Sequence, residues 1–330
     1  MTDVIPGTDG DFGRIARDIG IVQRTVMITG GRGFIGRAVA GLLLNLGYRI
    51  ISLDTQPAES VGDSESRVEI SCDITDRDQL RRIFATYDCD GIIHLAAILP
   101  TAAQRDPLRA TAVNLQGSVN LLEMAHEFGV RRFVFGSSLS IYGTYPPDHV
   151  VSESDRAAPQ DVYGAAKLYV EQFAIAYCDR CNLESIRLEF VSLRIGRVVG
   201  PGTGSVTSAW RSKVFEFLST NETKTIHLPY AASERILLVH VEDVARMLVT
   251  VLDAPKPAHF VYNAVCESVV IADLKRELEA LNPKLQIRVG KVLATGNPRL
   301  LDCSRFQREF GFEAVPIVER LQRAARGDRS

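Results

Sequence analysis

The chain has 330 residues, 46% hydrophobic and 24% charged, with a formal net charge of −2. That is an ordinary globular composition, long enough for one large domain or two closely joined ones. It lacks the basic blocks of a nucleic-acid binder and the cationic amphipathic stretch of a membrane-surface protein.

Residues 1–20 carry acids and glycines where a signal peptide needs an apolar run. No stretch approaches the roughly 18 apolar residues of a spanning helix, so the cytoplasm is the expected address. Residues 1–23 read as an N-terminal extension with a short helical piece near 11–19. The six cysteines are scattered. Cys178 and Cys181 have a suggestive spacing, but they fall late in a predicted helix with no second pair or nearby His. They read as ordinary thiols, and no metal site is expected.

Residues 25–29 predict a short, fully buried strand. From 34 to 46 apolar residues fall at 34, 35, 38, 39, 42, 43 and 46, a helical stripe that Gly47 ends. Residues 48–53 predict a second strand with Asp54 at its C-terminal end. Strands follow near 67–71, 91–95, 131–137 and 185–194, with helices near 76–87, 105–128 and 161–181. Continuous apolar strands alternating with helices predict an α/β fold, a Rossmann doubly wound parallel sheet covered on both faces. Beyond about 196 the texture changes. A Gly-Pro loop at 200–204 precedes helices near 206–220, 271–281 and 315–326, with short strands near 225–228, 259–263 and 285–288. Residues 236–254 read as a strand and helix that return to the first domain. The expected division is a nucleotide-binding domain of 24–196 plus about 236–255, and a smaller α/β substrate domain of 197–235 and 256–330.

The turn after the first strand is Thr29-Gly30-Gly31-Arg32-Gly33-Phe34-Ile35-Gly36. Small residues there let backbone approach a pyrophosphate, and the helix N-terminus supplies free N–H groups and a positive dipole end. A strand before, a helix after and an acid on the next strand give the context this pattern needs. Asp54 is that acid. Its carboxylate suits the adenosine ribose hydroxyls and repels a 2′-phosphate, which favours NAD over NADP; Arg32, in the same loop, is the residue that would suit a 2′-phosphate. Asp73 closes the third strand, placed either to reach the adenine amino group or simply to initiate a turn or cap a helix.

Tyr163-x-x-x-Lys167 puts both side chains on one helix face. A Lys167 ammonium beside the phenol would lower its pKa and make it a base for a substrate alcohol. Upstream, Ser137, Ser138 and Ser140 emerge at the C-terminal end of a predicted central strand, where parallel-sheet sites lie. A serine there hydrogen-bonds the same substrate oxygen as Tyr163.

Together with Ile74, His94-Leu95-Ala96-Ala97, Asn114, Tyr142-Gly143, Arg194, Gly200-Pro201 and Val241-x-Asp243-Val244-Ala245, these motifs run in order over residues 25–250. The chain resembles the extended short-chain dehydrogenase/reductases, in particular the NAD-dependent epimerase/dehydratase group. The resemblance implies that Ser138 polarises the substrate oxygen, Tyr163 is the acid/base and Lys167 its partner, which also bonds the nicotinamide ribose. It implies that Phe34 and Ile35 flank the pyrophosphate and that Leu95, Ala96 and Ala97 line the adenosine and ribose. Asn114 would steady a helix kink near the site, and a homodimer would form through the helices near 105–128 and 161–181.

Departures from the family pattern narrow the chemistry. Ser138-Leu139-Ser140 replaces the Thr-Asp-Glu of sugar-nucleotide dehydratases. Arg197 stands where epimerases carry an Asn near the diphosphate, and Arg235 is out of register with the family's diphosphate arginine. The expected function is therefore hydride transfer at a carbinol of a small sugar, uronate or aldonate. A sugar or nucleotide-sugar epimerase and a non-catalytic NAD sensor are the alternatives. Leu99, Thr101, Ser140, Arg197 and Trp210 are the candidate substrate contacts.

Overall fold

The structure of the protein is a computed structural model that describes residues 23–56, 65–183, 188–202 and 208–327, with residues 181–183 described by backbone alone. The extension and its expected helical piece near 11–19 lie outside the described residues, apart from Gln23.

Strand β1 (Thr25–Thr29) leads into helix α1 (Phe34–Asn45), then β2 (Arg49–Asp54), β3 (Arg67–Ser71), α2 (Arg77–Thr86) and β4 (Gly91–His94). Two short helices, α3 (Pro100–Arg105) and α4 (Pro107–Thr111), run into a π-helical turn (Ala112–Gly117) and α5 (Ser118–Glu127). Next come β5 (Arg132–Ser138), β6 (Val150–Val151), α6 (Val162–Leu183), β7 (Glu189–Ile195) and β8 (Arg197–Val199). The rest is α7 (Trp210–Glu216), β9 (Lys224–Tyr230), β10 (Arg235–His240), α8 (Val241–Asp253), β11 (Val261–Asn263) and β12 (Glu267–Val270). Helix α9 (Ile271–Leu281), β13 (Leu285–Val292), β14 (Leu300–Leu301), α10 (Ser304–Phe310) and α11 (Ile317–Arg326) complete it.

Seven parallel strands form the main sheet in the order β11-β7-β5-β4-β1-β2-β3. The chain runs outward from β1 to β3, then crosses back to β4 on the other side of β1. Loops diverge at that reversal, and the crevice at the strand ends is where ligands of such sheets bind. Alternate side chains of each strand serve opposite faces. Val26, Ile28 and Val134 pack with Val39 and Leu43 of α1 and with Val244, Leu248 and Val251 of α8. Met27, Ile51, Phe133 and Phe135 pack with Leu80 and Phe84 of α2, Leu121 of α5 and Val170 of α6. A separate core of Val199, Phe215, Ile226, Leu238, Leu274 and Leu321 underlies the C-terminal half.

Three expectations needed correction. The helix expected over 105–128 begins at Pro107 and contains the π-turn. A proline fits the first helical turn because the N–H it lacks has no intrahelical partner there. Strand β10, expected to rejoin the nucleotide domain, instead lies between β8 and β12 in a three-stranded sheet; helix α8 does return, packing beside α1. Conversely β11, grouped by sequence with the C-terminal pieces, extends the main sheet beside β7. An apolar run says that a strand is buried, not in which sheet.

Candidate active site

The β1–α1 turn is shaped by close approach. Gly30 has φ +68, and a Cβ there would sit 2.8 Å from the Ala96 amide nitrogen. At Gly36 a Cβ would lie 2.2 Å from the Gly30 carbonyl oxygen. Helix α1 begins after Gly33 with no side-chain cap and no acid in its first turn. Uncapped first-turn amides at a glycine-lined helix N-terminus are the chemistry a pyrophosphate requires. Phe34 and Ile35, half-buried, open the helix beside it.

Asp54 ends β2. Its carboxylate accepts from the Arg32 amide at 3.1 Å and the Gln56 amide at 3.1 Å, so it also fixes the turn. Arg32 is directed away from any phosphate role: its Nε donates to Glu69 at 2.9 Å, and a terminal nitrogen pairs with the same carboxylate at 2.7 Å. Glu69 is thus held between Arg32 and Arg67, and Asp54 is the acid left at the end of β2. Asp73 uses Oδ1 to close its own turn, accepting from the Thr75 amide at 2.9 Å and the Thr75 hydroxyl at 2.8 Å. The helix cap is Asp76, which accepts from the Gln79 amide.

Past β4, Leu95, Ala96 and Ala97 line the crevice beside the glycine turn, half-buried. Asn114 holds this stretch in place. Its side chain accepts from the Ile98 amide at 2.7 Å and donates to the Ile98 carbonyl at 2.9 Å. Asn114 sits in the π-turn, and Ile74 packs against Gly117 of that turn, where a Cβ would lie 2.6 Å from the Ile74 side chain. Behind them, buried His94 bridges the Thr29 hydroxyl (2.6 Å) and the Ser118 hydroxyl (2.8 Å), and burial keeps it neutral.

The catalytic candidates meet where β5 ends. Ser138 is the last residue of β5, its hydroxyl within hydrogen-bonding reach of Tyr163 on α6 and 3.2 Å from the Ser140 hydroxyl. Lys167, one turn after Tyr163 and buried, donates from Nζ to the Gly136 carbonyl at 2.7 Å. The expected ammonium-to-phenol effect is not what the geometry gives. Nζ lies 4.4 Å from the Phe135 ring centre and 5.7 Å from that of Tyr163. Burial dominates both groups: it pushes the Tyr163 phenol up to about 12, against Ser138, and the Lys167 ammonium down to about 7, against Glu171. The ring of Tyr163 keeps some contact with solvent, but its hydroxyl lies deep.

Beneath this site lies a polar network that the sequence reading missed. Glu171, fully buried, accepts from Arg194 at 2.7 Å and from the Ser192 hydroxyl at 2.8 Å. Arg194 also donates to the Tyr142 hydroxyl at 2.8 Å, which in turn donates to the Asn263 side-chain oxygen at 2.8 Å. The signal was present: Tyr163, Lys167 and Glu171 recur at the four-residue spacing of one helix face. Among the other candidates, Ser140 and Trp210 are buried, while Leu99 and Thr101 are exposed at the start of α3. Among the described residues no group of three or more His, Cys, Asp or Glu side chains is placed to hold a metal ion. No described helix is long and apolar enough to cross a membrane.

A doubly wound parallel sheet with a glycine-lined helix N-terminus at its switch point defines a dinucleotide-binding enzyme. The chain belongs to the NAD-dependent epimerase/dehydratase family, whose model matches residues 26–264. It is an enzyme, and NAD is its cofactor; the turn, the uncapped helix and Asp54 fit that cofactor. It is 27% identical over 301 residues to a mitochondrial L-threonine 3-dehydrogenase of Sus scrofa, covering 88% of this chain and 79% of that protein. It is 32% identical over 183 residues to a UDP-glucose 4-epimerase of Lacticaseibacillus casei, covering 53% of this chain and 52% of the epimerase. That match therefore spans about half of the epimerase's length. An L-threonine dehydrogenase structure from Clostridium difficile superposes with a TM-score of 0.78 at 22% identity, covering 92% of this chain and 98% of that one.

Proposed function

We propose that this enzyme moves a hydride between NAD and a carbinol carbon of a small sugar, uronate or aldonate, with Tyr163 as acid/base. The observation that carries the reading is the meeting of Ser138 and Tyr163 at the end of β5, with Lys167 anchored behind them on Gly136. NAD supplies the hydride acceptor and, when oxidised, a positively charged ring.

In this reading Ser138 donates to the substrate oxygen and orients it. Tyr163 takes the alcohol proton as the carbinol becomes a carbonyl, or returns it in reduction. Its raised pKa keeps the phenol protonated at rest. A cation bound beside the phenol would favour the phenolate. Lys167, tuned towards neutrality, would bond the nicotinamide ribose and relay a proton from behind Tyr163. Gly30, Gly33 and Gly36 admit the pyrophosphate and Asp54 holds the adenosine ribose. Leu95, Ala96 and Ala97 wall the nucleotide pocket, and Asn114 keeps that wall in place through Ile98. Asp73, through its second oxygen, and Ile74 complete the adenine end.

Two observations favour a small substrate over a nucleotide sugar. Arg197 replaces the family Asn near the diphosphate. The match to a threonine dehydrogenase also covers 88% of this chain, whereas the match to an epimerase covers 53%. The domain division follows the two core systems, with β11 and α8 in the nucleotide domain and β8, β9, β10, β12 and β13 in the substrate domain. A homodimer through α4–α6 is part of the proposal: Leu108 is 84% exposed and Tyr169 52%, and Tyr169 stacks on Phe173 along the same face. Light scattering on the purified protein tests it, with a two-chain mass expected.

The reaction type is decided by cofactor retention. Protein purified without added nucleotide is denatured, and released NAD is counted per chain. The proposal expects a substoichiometric amount and reduction of added NAD by sugars or sugar acids. Near-stoichiometric bound NAD with no net reduction means an epimerase, which returns its hydride each cycle.

A further inference from the structure

Two guanidiniums converge on one phenol in the C-terminal half of the chain. Arg197 lies two residues beyond Ile195, which pairs with Ser138 across the sheet. Gly196, between them, is packed so that a Cβ would meet Leu139 at 3.3 Å, next to Ser138 in the chain. Arg197 Nε donates to the Tyr230 hydroxyl at 3.1 Å, and its guanidinium lies 5.4 Å from the Tyr230 ring centre. Arg211, on α7, comes within hydrogen-bonding reach of the same hydroxyl. The Arg211 guanidinium rests 5.9 Å from the Trp210 ring, which meets Tyr230 edge-on at 6.3 Å.

The charge in this cluster is unbalanced. Among the described residues neither Arg197 nor Arg211 has a carboxylate within ion-pair distance, and the buried Nε of Arg211 has no hydrogen-bond partner. Both guanidiniums face the Tyr230 oxygen as donors. Every group is a donor. Burial and the neighbouring Arg197 both work against the Arg211 charge. Like charges held together in a partly buried site are costly unless they serve an anion. The complement of two planar forks and a hydroxyl is an oxyanion.

Position narrows the source of that oxyanion. Two residues of extended chain span at most about 7 Å, and paired strands lie about 4.8 Å apart. The Arg197 backbone is therefore one small molecule's length from the Ser138 end of β5. Resting on the carbinol-oxidation reading above, we infer that Arg197, Arg211 and Tyr230 form the subsite that binds the acidic end of the substrate. We take that acidic end to be the carboxylate of a sugar acid, and the titration below separates it from the diphosphate of a nucleotide sugar.

The chain's single tryptophan, Trp210, sits inside the cluster and reports on it. The NAD-loaded protein is titrated with glucuronate, galacturonate and gluconate, with neutral glucose, and with UDP, while Trp210 fluorescence is followed. At least one sugar acid should give a saturable change. Glucose should bind at least about 10-fold more weakly, and Arg197→Met and Arg211→Met should each weaken acid binding about 10-fold or more. Thermal unfolding checks that each variant is folded; should Arg211→Met not fold, Tyr230→Phe removes the shared hydroxyl alone and should weaken acid binding several-fold. Equal affinity for glucose, no response to any sugar acid, or unchanged affinity in the folded variants overturns the inference. Arginine-dependent binding of UDP without binding of the sugar acids overturns the carboxylate assignment in favour of diphosphate. The readout is binding, so a failure to oxidise any of these compounds would count against the reaction and leave this test intact.

Discussion

Arg194 and Arg197 stand three residues apart at the end of the same strand run, yet their surroundings are opposite. Arg194 faces the fully buried Glu171, and its remaining donor goes to Tyr142. Burial weakens its charge, but Glu171 outweighs that and holds the guanidinium firmly protonated. Arg197 faces another arginine and a phenol. A buried cation with its acid beside it is complete within the fold and serves to hold β7 to α6. A cation among donors is incomplete until something binds. Burial and residue type do not separate a structural arginine from a ligand-binding one; the presence of the matching acid does.

The largest effect sharpens the contrast between holding and reacting. Tyr163→Phe removes the proton-transfer group and keeps the ring, so turnover should fall about 10²- to 10⁴-fold, while NAD affinity, measured by calorimetry, stays near wild type. Arg194→Leu strands Glu171 in the core. It should cost about 3–5 kcal/mol in urea unfolding, whereas Arg197→Leu should change stability by less than about 1 kcal/mol and act on substrate binding. Equal stability losses for the two would erase the distinction drawn between them. Asp54→Ala should weaken NAD about 10-fold through loss of charge-assisted hydrogen bonds, with NADP gaining relative to NAD because Asp54 no longer repels its phosphate. An unchanged NAD-to-NADP ratio in kinetics would remove Asp54 from the ribose site.

A further effect is in pH. Lys167 has its folded pKa lowered to about 7 from an ordinary 10.5. Below pH 7 both folded and unfolded states carry the proton, and the cost of burying it is fully present. Between pH 7 and 10.5 the unfolded chain binds the extra proton, so stability rises with pH, by at most about 1.4 kcal/mol per unit. Tyr163, raised to about 12 from 10, acts in reverse above pH 10 and withdraws stability there. Urea midpoints of the cofactor-free protein at pH 6.5 and 9, with Lys167→Met as control, isolate the lysine: the variant should lose this part of the rise. A parallel rise in the variant would assign it to other groups.

What the sequence disclosed follows the same line between local and distant. The seven-stranded sheet was legible over its first six strands because most of them are short apolar runs beside a helix stripe; β3, Arg67–Ser71, alternates polar and apolar residues instead. The glycine turn, Asp54, and the Tyr163–Lys167 face are local patterns with fixed spacing. Glu171 shared that spacing and went unread because a buried glutamate on a helix looks like a surface one until Arg194 is seen opposite. The sheet membership of β10 and β11 depends on pairing partners far along the chain. Arg211 and Tyr230 come from α7 and β9, whose convergence on Arg197 leaves no local trace. The Tyr163 phenol is raised chiefly by burial, which depends on the whole fold and leaves no local spacing to read.

The measurement closest to the central claim is NADH formation when the purified enzyme is mixed with added NAD and a panel of uronates, aldonates and their parent sugars. The account predicts a steady accumulation of NADH with at least one acidic member, absent in Tyr163→Phe. No NADH from any member, together with conversion of UDP-glucose to UDP-galactose without net reduction of NAD, would contradict it.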